Sequence, residues 1–313
     1  MNGDSRPPRG LSNSAGASGA GSAGSAVVGR VPAPLVFVVS AFSQYLGAGL
    51  AVSLFSLMPS TTVAWWRLVV GATVLMALRC PWRRSWTPKA LALAAAFGTA
   101  TATMNVIFYA AISLLPLGTV VSLEFLGPVA VAAFTGRGWR PRCAAVLALL
   151  GVVSISGLGV DVGEPDQKTG VVLALAAGAA WAGYILLGRR AASAGSGIDS
   201  LAVGMVFGAL VYAPFAIGTA AGALASVRST AKALGVGLLS TAVPYGLDQV
   251  VLKRLGTDTF ALLSSLMPAT SMLVGVVVLG QLPSGWEVTG LVLVSVAVAL
   301  VSADGRAPRP ASH

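Results

Sequence analysis

The sequence predicts an all-α polytopic membrane protein of ten transmembrane helices, arranged as two inverted five-helix repeats. Three observations carry that prediction. Apolar runs recur along the 313 residues at 33–57, 61–79, 90–111, 117–135, 143–160, 171–188, 201–220, 233–251, 259–280 and 288–302. Most of them approach the ~20 residues that a helix needs to cross hydrocarbon. Charged residues make up only 10% of the chain and hydrophobic ones 56%, whereas a soluble domain carries about 25% charged residues with which to cover its surface. The basic residues, finally, gather on one side of the spans, as the joins show when taken in order.

Residues 1–30, rich in Gly, Ser and Ala, lack a packing pattern and read as a disordered tail. A signal peptide is the competing reading, but its apolar core would be short and close to the start, whereas here a long polar tail leads into a full-length run. The first run carries Ser40, Ser43, Gln44 and Tyr45, and the second carries Arg67 in TTVAWWRLVVGA. The join after it holds Arg79, Arg83, Arg84 and Lys89, with Trp82 and Trp86 as interfacial anchors. Asn105 and Tyr109 lie four apart on one face of the third run. Glu124 and Pro128 sit inside the fourth, which Arg137, Arg140 and Arg142 follow. Only Lys168 marks the join before the sixth run; that run carries Trp181 and Tyr184 and ends at Arg189 and Arg190. Arg228 and Lys232 precede the eighth, in which Tyr245, Asp248 and Gln249 follow Pro244, and Lys253 and Arg254 close it. Pro268 lies in the ninth run, and residues 304–313 form a second flexible tail.

With the tails included, 16 basic residues fall on the side of the even joins and three on the other. This bias puts both termini in the cytoplasm. It also disposes of the nucleic-acid reading that a net charge of +10 invites, because the cations rim membrane spans instead of forming a stripe.

Five spans is an odd number, so a second set of five enters the membrane from the opposite side. A faint internal echo supports that division into 31–165 and 166–303. Pro128 is answered by Pro268 and Thr119 by Thr259, each 140 residues on, and Tyr45 by Tyr184 after 139. Many transporters build two equivalent gated states from such repeats around a site at the midplane.

Counted at 1.5 Å per residue, Glu124 lies about 20 Å along its helix from Arg137, and Arg67 about 18 Å from Arg79, so the two share a depth near the midplane. Asp248 is about 8 Å from Lys253, nearer the cytoplasm. Each should face a partner or a watery cavity, since lipid exposure is expensive. A static salt bridge to Arg67 accounts for one acid and leaves the other over. That second carboxylate is free to carry a proton from one side to the other or to meet a substrate ammonium; Glu124 is the first candidate and Asp248 the second. Gln44, Tyr45, Asn105, Tyr109, Trp181, Tyr184 and Tyr245 would complete a cavity suited to a small zwitterion. Pro128, Pro244 and Pro268 mark helix breaks or gates, and Pro244 frees a carbonyl in the turn before it. For the serines, threonines and glycines, including Gly47, Gly71, Gly98 and Gly178, helix packing is the simpler account.

The motifs AWWRLVVGA, PLGTVVSLEFLGPVAVAAF, WAGYILLGRRA and STAVPYGLDQVVLKRL, in this order within a ten-span frame, make the chain resemble the drug/metabolite transporter superfamily. It is similar to proteins with two EamA domains, and within them to the RhtA-type threonine/homoserine exporters, over roughly residues 33–303. The resemblance implies export of small metabolites, amino acids in that subgroup, across a bacterial inner membrane with proton exchange. Leu123, Glu124, Phe125, Gly127 and Pro128 match the subgroup's fourth span, and Arg67 stands at the family's usual second-span arginine. Where relatives carry glutamate after a Pro-Tyr pair, this chain has Asp248, a carboxylate one methylene shorter, so the substrate reach is open to change.

A broader exporter of drugs, nucleosides or other metabolites is the alternative within the superfamily. An enzyme is disfavoured: the acids are scattered over separate spans with no aspartate cluster for Mg²⁺, His313 is the only histidine, and Cys80 and Cys143 have no metal-ligand spacing. A scaffold or sensor would not need an arginine and acids deep in the bundle. No cofactor or metal is expected. No phosphate-binding GxxxxGK[ST] loop occurs, so energy comes from a gradient or a partner subunit. Protons suit the acids better than sodium, and a homodimer is left open.

Overall fold

In the computed structural model, which describes residues 31–135, 138–155, 164–193 and 197–304, each of the ten apolar runs contains helix among its described residues. The expected tail at 1–30 lies outside the described residues, as do residues 305–313 of the expected tail at 304–313, residues 156–163 at the end of the fifth run and the side chain of Gln249; Asp304 ends the last helix.

The helices are α1 (Ala33–Val52), α2 (Ser60–Arg79), α3 (Pro88–Ile112), α4 (Leu117–Glu124), α5 (Leu126–Thr135), α6 (Trp139–Val153), α7 (Pro165–Ser193), α8 (Gly197–Ala216), α9 (Val227–Gly237), α10 (Val243–Leu263), α11 (Met267–Leu279) and α12 (Gly285–Asp304). No strand occurs among the described residues. Seven spans are long and apolar enough to cross a membrane: α1, α2, α3, α4 with α5 (Leu117–Thr135), and the cores of α7, α8 and α12. Ser264–Leu279 is a shorter apolar helix. The eighth run is a continuous rod, with α9 and α10 joined through a π-turn at Leu238–Ala242.

Local chemistry sets the ends. Thr87 caps α3, its side chain accepting from the Ala90 N–H at 3.2 Å, and Pro88 holds the first helical position, where its missing donor costs nothing. Ser226 and Ser229 form a reciprocal capping box at α9. Left-handed residues stop two helices: Gly280 (φ 66) ends α11, and Cys80 (φ 46) ends α2 by returning its N–H to the Met76 carbonyl.

Between elements, α3 packs on α7 and α8, α1 on α10 and α11, α2 on α8 and α9, α4 on α7 and α11, and α6 on α12. Large apolar side chains such as Leu35, Val39, Phe134, Leu149, Phe215 and Val277 point outward, the pattern of a multi-pass bundle whose solvent is hydrocarbon. Trp82, Trp139 and Trp286 are also exposed, as interfacial anchors are. Trp65 and Trp66, by contrast, donate their indole N–H groups to the carbonyls of Ala209 and Ala220. Arg79 and Arg84 converge on Asp199 at 3.0 and 3.7 Å, tying the end of α2 to the start of α8. Thr62 bonds Thr219 at the other end of the same pair, so α2 and α8 are fastened at both ends.

Candidate functional site

The fourth span breaks at Glu124. Pro128 has no N–H for the Glu124 carbonyl four residues back, and the helix is interrupted between α4 and α5 at Phe125. Gly178 of α7 fills the space beside that carbonyl: a Cβ on Gly178 would lie 2.7 Å from the Glu124 oxygen. The Glu124 side chain is buried, yet no protein group among the described residues is hydrogen-bonded to its carboxylate.

Glu124 instead lines a cavity with Arg67 of α2, Gln44, Tyr45 and Ala48 of α1, Met104, Asn105 and Phe108 of α3, Trp181 of α7 and Met267 of α11. Six residues singled out in the sequence thus meet in one place: Gln44, Tyr45, Arg67, Asn105, Glu124 and Trp181. The Asn105 amide nitrogen is committed to the Thr101 carbonyl at 2.8 Å, leaving its oxygen to accept. Trp181 sets its ring edge-on to Phe125 at 4.8 Å, which braces the break beside Glu124. The cavity measures about 60 Å³, and one water needs about 10–15 Å³ by that measure, so the space suits a small solute.

Arg67 is partly buried, and no ion pair within 4 Å joins it to either acid among the described residues. Its Nη2 donates to the Ser240 carbonyl at 3.1 Å and its Nε to Thr241 Oγ1 at 3.5 Å, both in the π-turn ahead of α10. The guanidinium also lies over the Tyr109 ring, 5.6 Å from its centre, a favourable cation–π placement. The carbonyl that Pro244 was expected to free is therefore the one that Arg67 takes. Tyr109 itself does not line the cavity; its hydroxyl is buried without a hydrogen-bond partner among the described residues.

Asp248, Tyr184 and Tyr245 gather in a second polar group. Ser40 Oγ donates to Asp248 Oδ1 at 2.6 Å, Tyr184 and Tyr245 pack on the same apolar cluster, and Tyr184 stacks on Phe97 at 5.0 Å. This group borders the cavity along α1, since Ser40 is one turn from Gln44. Pro268 sits at the start of α11, after a 3-10 turn at Ser264–Leu266 and next to the cavity residue Met267.

One buried acid gives no sign of its burial in the sequence. Glu287, 6% exposed, accepts from the Thr119 hydroxyl and from the Ser284 N–H at 2.8 Å, while its own N–H donates to Ser284 Oγ at 3.3 Å. Nearby, Gln281 Oε1 accepts from the Leu117 N–H at 3.0 Å. Together these bonds fasten the starts of α4 and α12 and the end of α11. The Ser-x-x-Glu pattern at Ser284–Glu287 is a readable capping box; its partner Thr119 lies 168 residues away and has no local signal. Glu287→Ala removes the cap, worth about 1 kcal/mol, and strands the buried Thr119 hydroxyl at a cost of about 1–3 kcal/mol. A lowered thermal midpoint in detergent is the expected result; an unchanged midpoint would show that the network carries no stability. Among the described residues, no group of three His, Cys, Asp or Glu side chains is placed to hold a metal ion.

The EamA-like transporter family matches the chain over residues 168–303. The threonine/homoserine exporter RhtA of Salmonella typhimurium (strain SL1344) is 38% identical over 257 residues, 82% of this chain and 86% of that protein. Its Escherichia coli K12 counterpart is 39% identical over 249 residues, 79% of this chain and 84% of that one. The uncharacterised transporter YwfM of Bacillus subtilis is 29% identical over 182 residues, 55% of this chain and 59% of its own length. A crystal structure with 19% identity superposes with a TM-score of 0.57, covering 88% of this chain and 98% of the other, which speaks to the fold alone.

Proposed function

The chain belongs to the EamA-like transporter family, and from that premise we propose that it exports threonine, homoserine or a related short amino acid across a bacterial inner membrane in exchange for protons. The observation that carries the substrate class is the cavity, in which the Arg67 guanidinium and the Glu124 carboxylate face one small space without pairing to each other. A zwitterion satisfies both: its carboxylate meets Arg67 and its ammonium meets Glu124. The relatives named as threonine/homoserine exporters support the choice among zwitterions, and the modest volume favours a short side chain over a drug-sized solute.

The transport cycle is alternating access between two inverted repeats, 31–165 and 166–303. Supporting this reading, the main packings between the halves survive exchange of each span for the one five along: α3 on α7 answers α10 on α1, α4 and α5 on α7 answer α11 on α1, and α3 on α8 answers α9 on α2. The pairs α2–α8, α4–α11 and α6–α12 map onto themselves. The basic bias of the even joins places both termini in the cytoplasm. With the cavity open inward, ionised Glu124 holds the ammonium and Arg67 the carboxylate. After reorientation an external proton neutralises Glu124, weakens that hold and returns inward with the unloaded carrier.

Labelled threonine and homoserine in proteoliposomes of known protein orientation, with an imposed pH gradient, test the proposal. Transport that follows the gradient is the expected result. Preferential transport of nucleosides or larger drugs would replace the amino-acid reading with that of a broader exporter, and indifference to the gradient would remove the proton.

A further inference from the structure

The π-turn at Leu238–Ala242 puts two backbone carbonyls out of helical reach. Within it the Val243 N–H bonds the Leu238 carbonyl five residues back. The next residue, Pro244, has no N–H to offer either Leu239, five back, or Ser240, four back. Such carbonyls are costly in a bundle that excludes water, and side chains must satisfy them. Both have donors from the first half of the chain. Ser43 Oγ of α1 donates to Leu239 O at 3.0 Å, and Arg67 Nη2 of α2 donates to Ser240 O at 3.1 Å. The turn is gripped closely on that side. Ser240 Oγ bonds the Gln44 carbonyl at 3.3 Å, and a Cβ on Gly47 would lie 2.2 Å from Ser240 Oγ.

Arg67 therefore reaches the cavity from a fixed anchor. A guanidinium has five N–H donors in a rigid planar fork. Here Nη2 and Nε are engaged by the π-turn, so the Nη1 end is the part with donors to spend on a ligand. We propose that Pro244 and Thr241 are positioning residues for substrate selection: by presenting the Ser240 carbonyl and a hydroxyl, the π-turn holds the Arg67 fork in the orientation that reads a substrate carboxylate. The inference rests on the carboxylate role given to Arg67 above. It makes a helix of the second half the setting device for a binding residue of the first, at the place where the two halves must move past each other.

Substitution of the turn separates this role from simple support. Pro244→Ala restores an N–H that competes with Arg67 for the Ser240 carbonyl. Thr241→Val removes the Nε contact, and Thr241→Ser keeps it. Labelled threonine transport in proteoliposomes gives KM and turnover, and competition by threonine amide, which lacks the carboxylate, reports binding that does not use Arg67. Pro244→Ala is expected to raise the threonine KM about ten-fold, the loss of one charge-assisted hydrogen bond, with turnover and inhibition by the amide unchanged. Thr241→Val should move the same way to a smaller extent, and Thr241→Ser should match the wild type. The Thr241 pair decides the matter if Pro244→Ala does not fold. An unchanged KM in Thr241→Val and in any folded Pro244→Ala overturns the proposal, as does an equal loss toward threonine and its amide. A wild-type protein that fails to distinguish threonine from the amide sinks the carboxylate reading of Arg67, and the positioning role falls with it.

Discussion

Glu124→Gln is expected to abolish gradient-driven threonine transport while leaving the fold intact. The substitution keeps the volume of the side chain and removes its charge. The carboxylate is buried at the cavity wall without a hydrogen bond to the protein among the described residues, so no internal bond is lost. An ammonium facing a neutral amide loses a buried charge partner, which costs about 2–5 kcal/mol; at 1.4 kcal/mol per ten-fold, transport falls by about thirty-fold at the least. The same change removes the one carboxylate among the described residues that line the cavity, and with it the group best suited to take up a proton from outside and release it inside. Labelled threonine flux under an imposed pH gradient measures the first effect, and a thermal melt in detergent checks the second. Undiminished gradient-driven flux in Glu124→Gln would take the residue out of the mechanism and move the proton to Asp248, whose own Asn variant would then become decisive.

Charge in hydrocarbon was the legible signal. Glu124 and Arg67 stood out because each interrupts a long apolar run, and helix rise alone placed them at one depth; the fold brings both to one cavity. Asp248 stood out for the same reason, but its partner Ser40 lies 208 residues away, and no local pattern joins them. Pro244 signalled a freed carbonyl. The π register that frees a second one, and the arrival of Ser43 and Arg67 as donors, depend on how α1 and α2 pack on that turn. Glu287 is silent in the sequence for the opposite reason: it sits at the start of its span, where a glutamate reads as an ordinary cap, and its partner Thr119 belongs to a distant helix. Tyr109 and Tyr184 had the right helical faces, but face alone does not say whether a ring lines a cavity or supports what does. Tyr109 lies under Arg67, and Tyr184 stacks on Phe97.

A single methyl group at the crossing of α5 and α7 should have a large structural effect. A Cβ on Gly127 would lie 1.9 Å from the Gly178 carbonyl oxygen and 2.7 Å from its carbon. Both are backbone atoms, so no side chain can swing aside, and α5 must back away from α7. That crossing also sets the site: the Glu124 carbonyl left without a donor by Pro128 lies against Gly178, and Trp181 projects into the cavity less than one turn further along α7. Overpacking in a close-packed core costs about 1–3 kcal/mol and more where backbone must shift. Gly127→Ala is therefore expected to lower the thermal midpoint sharply and to lose transport along with it. Gly183, on the same helix α7, supplies the control. A Cβ there meets nothing within 4 Å, so Gly183→Ala should hold or raise the midpoint, because alanine is about 1 kcal/mol better than glycine within a helix. If the two variants melt together, α5 and α7 do not cross as closely as described, and the geometry around Glu124 that depends on that crossing fails with it.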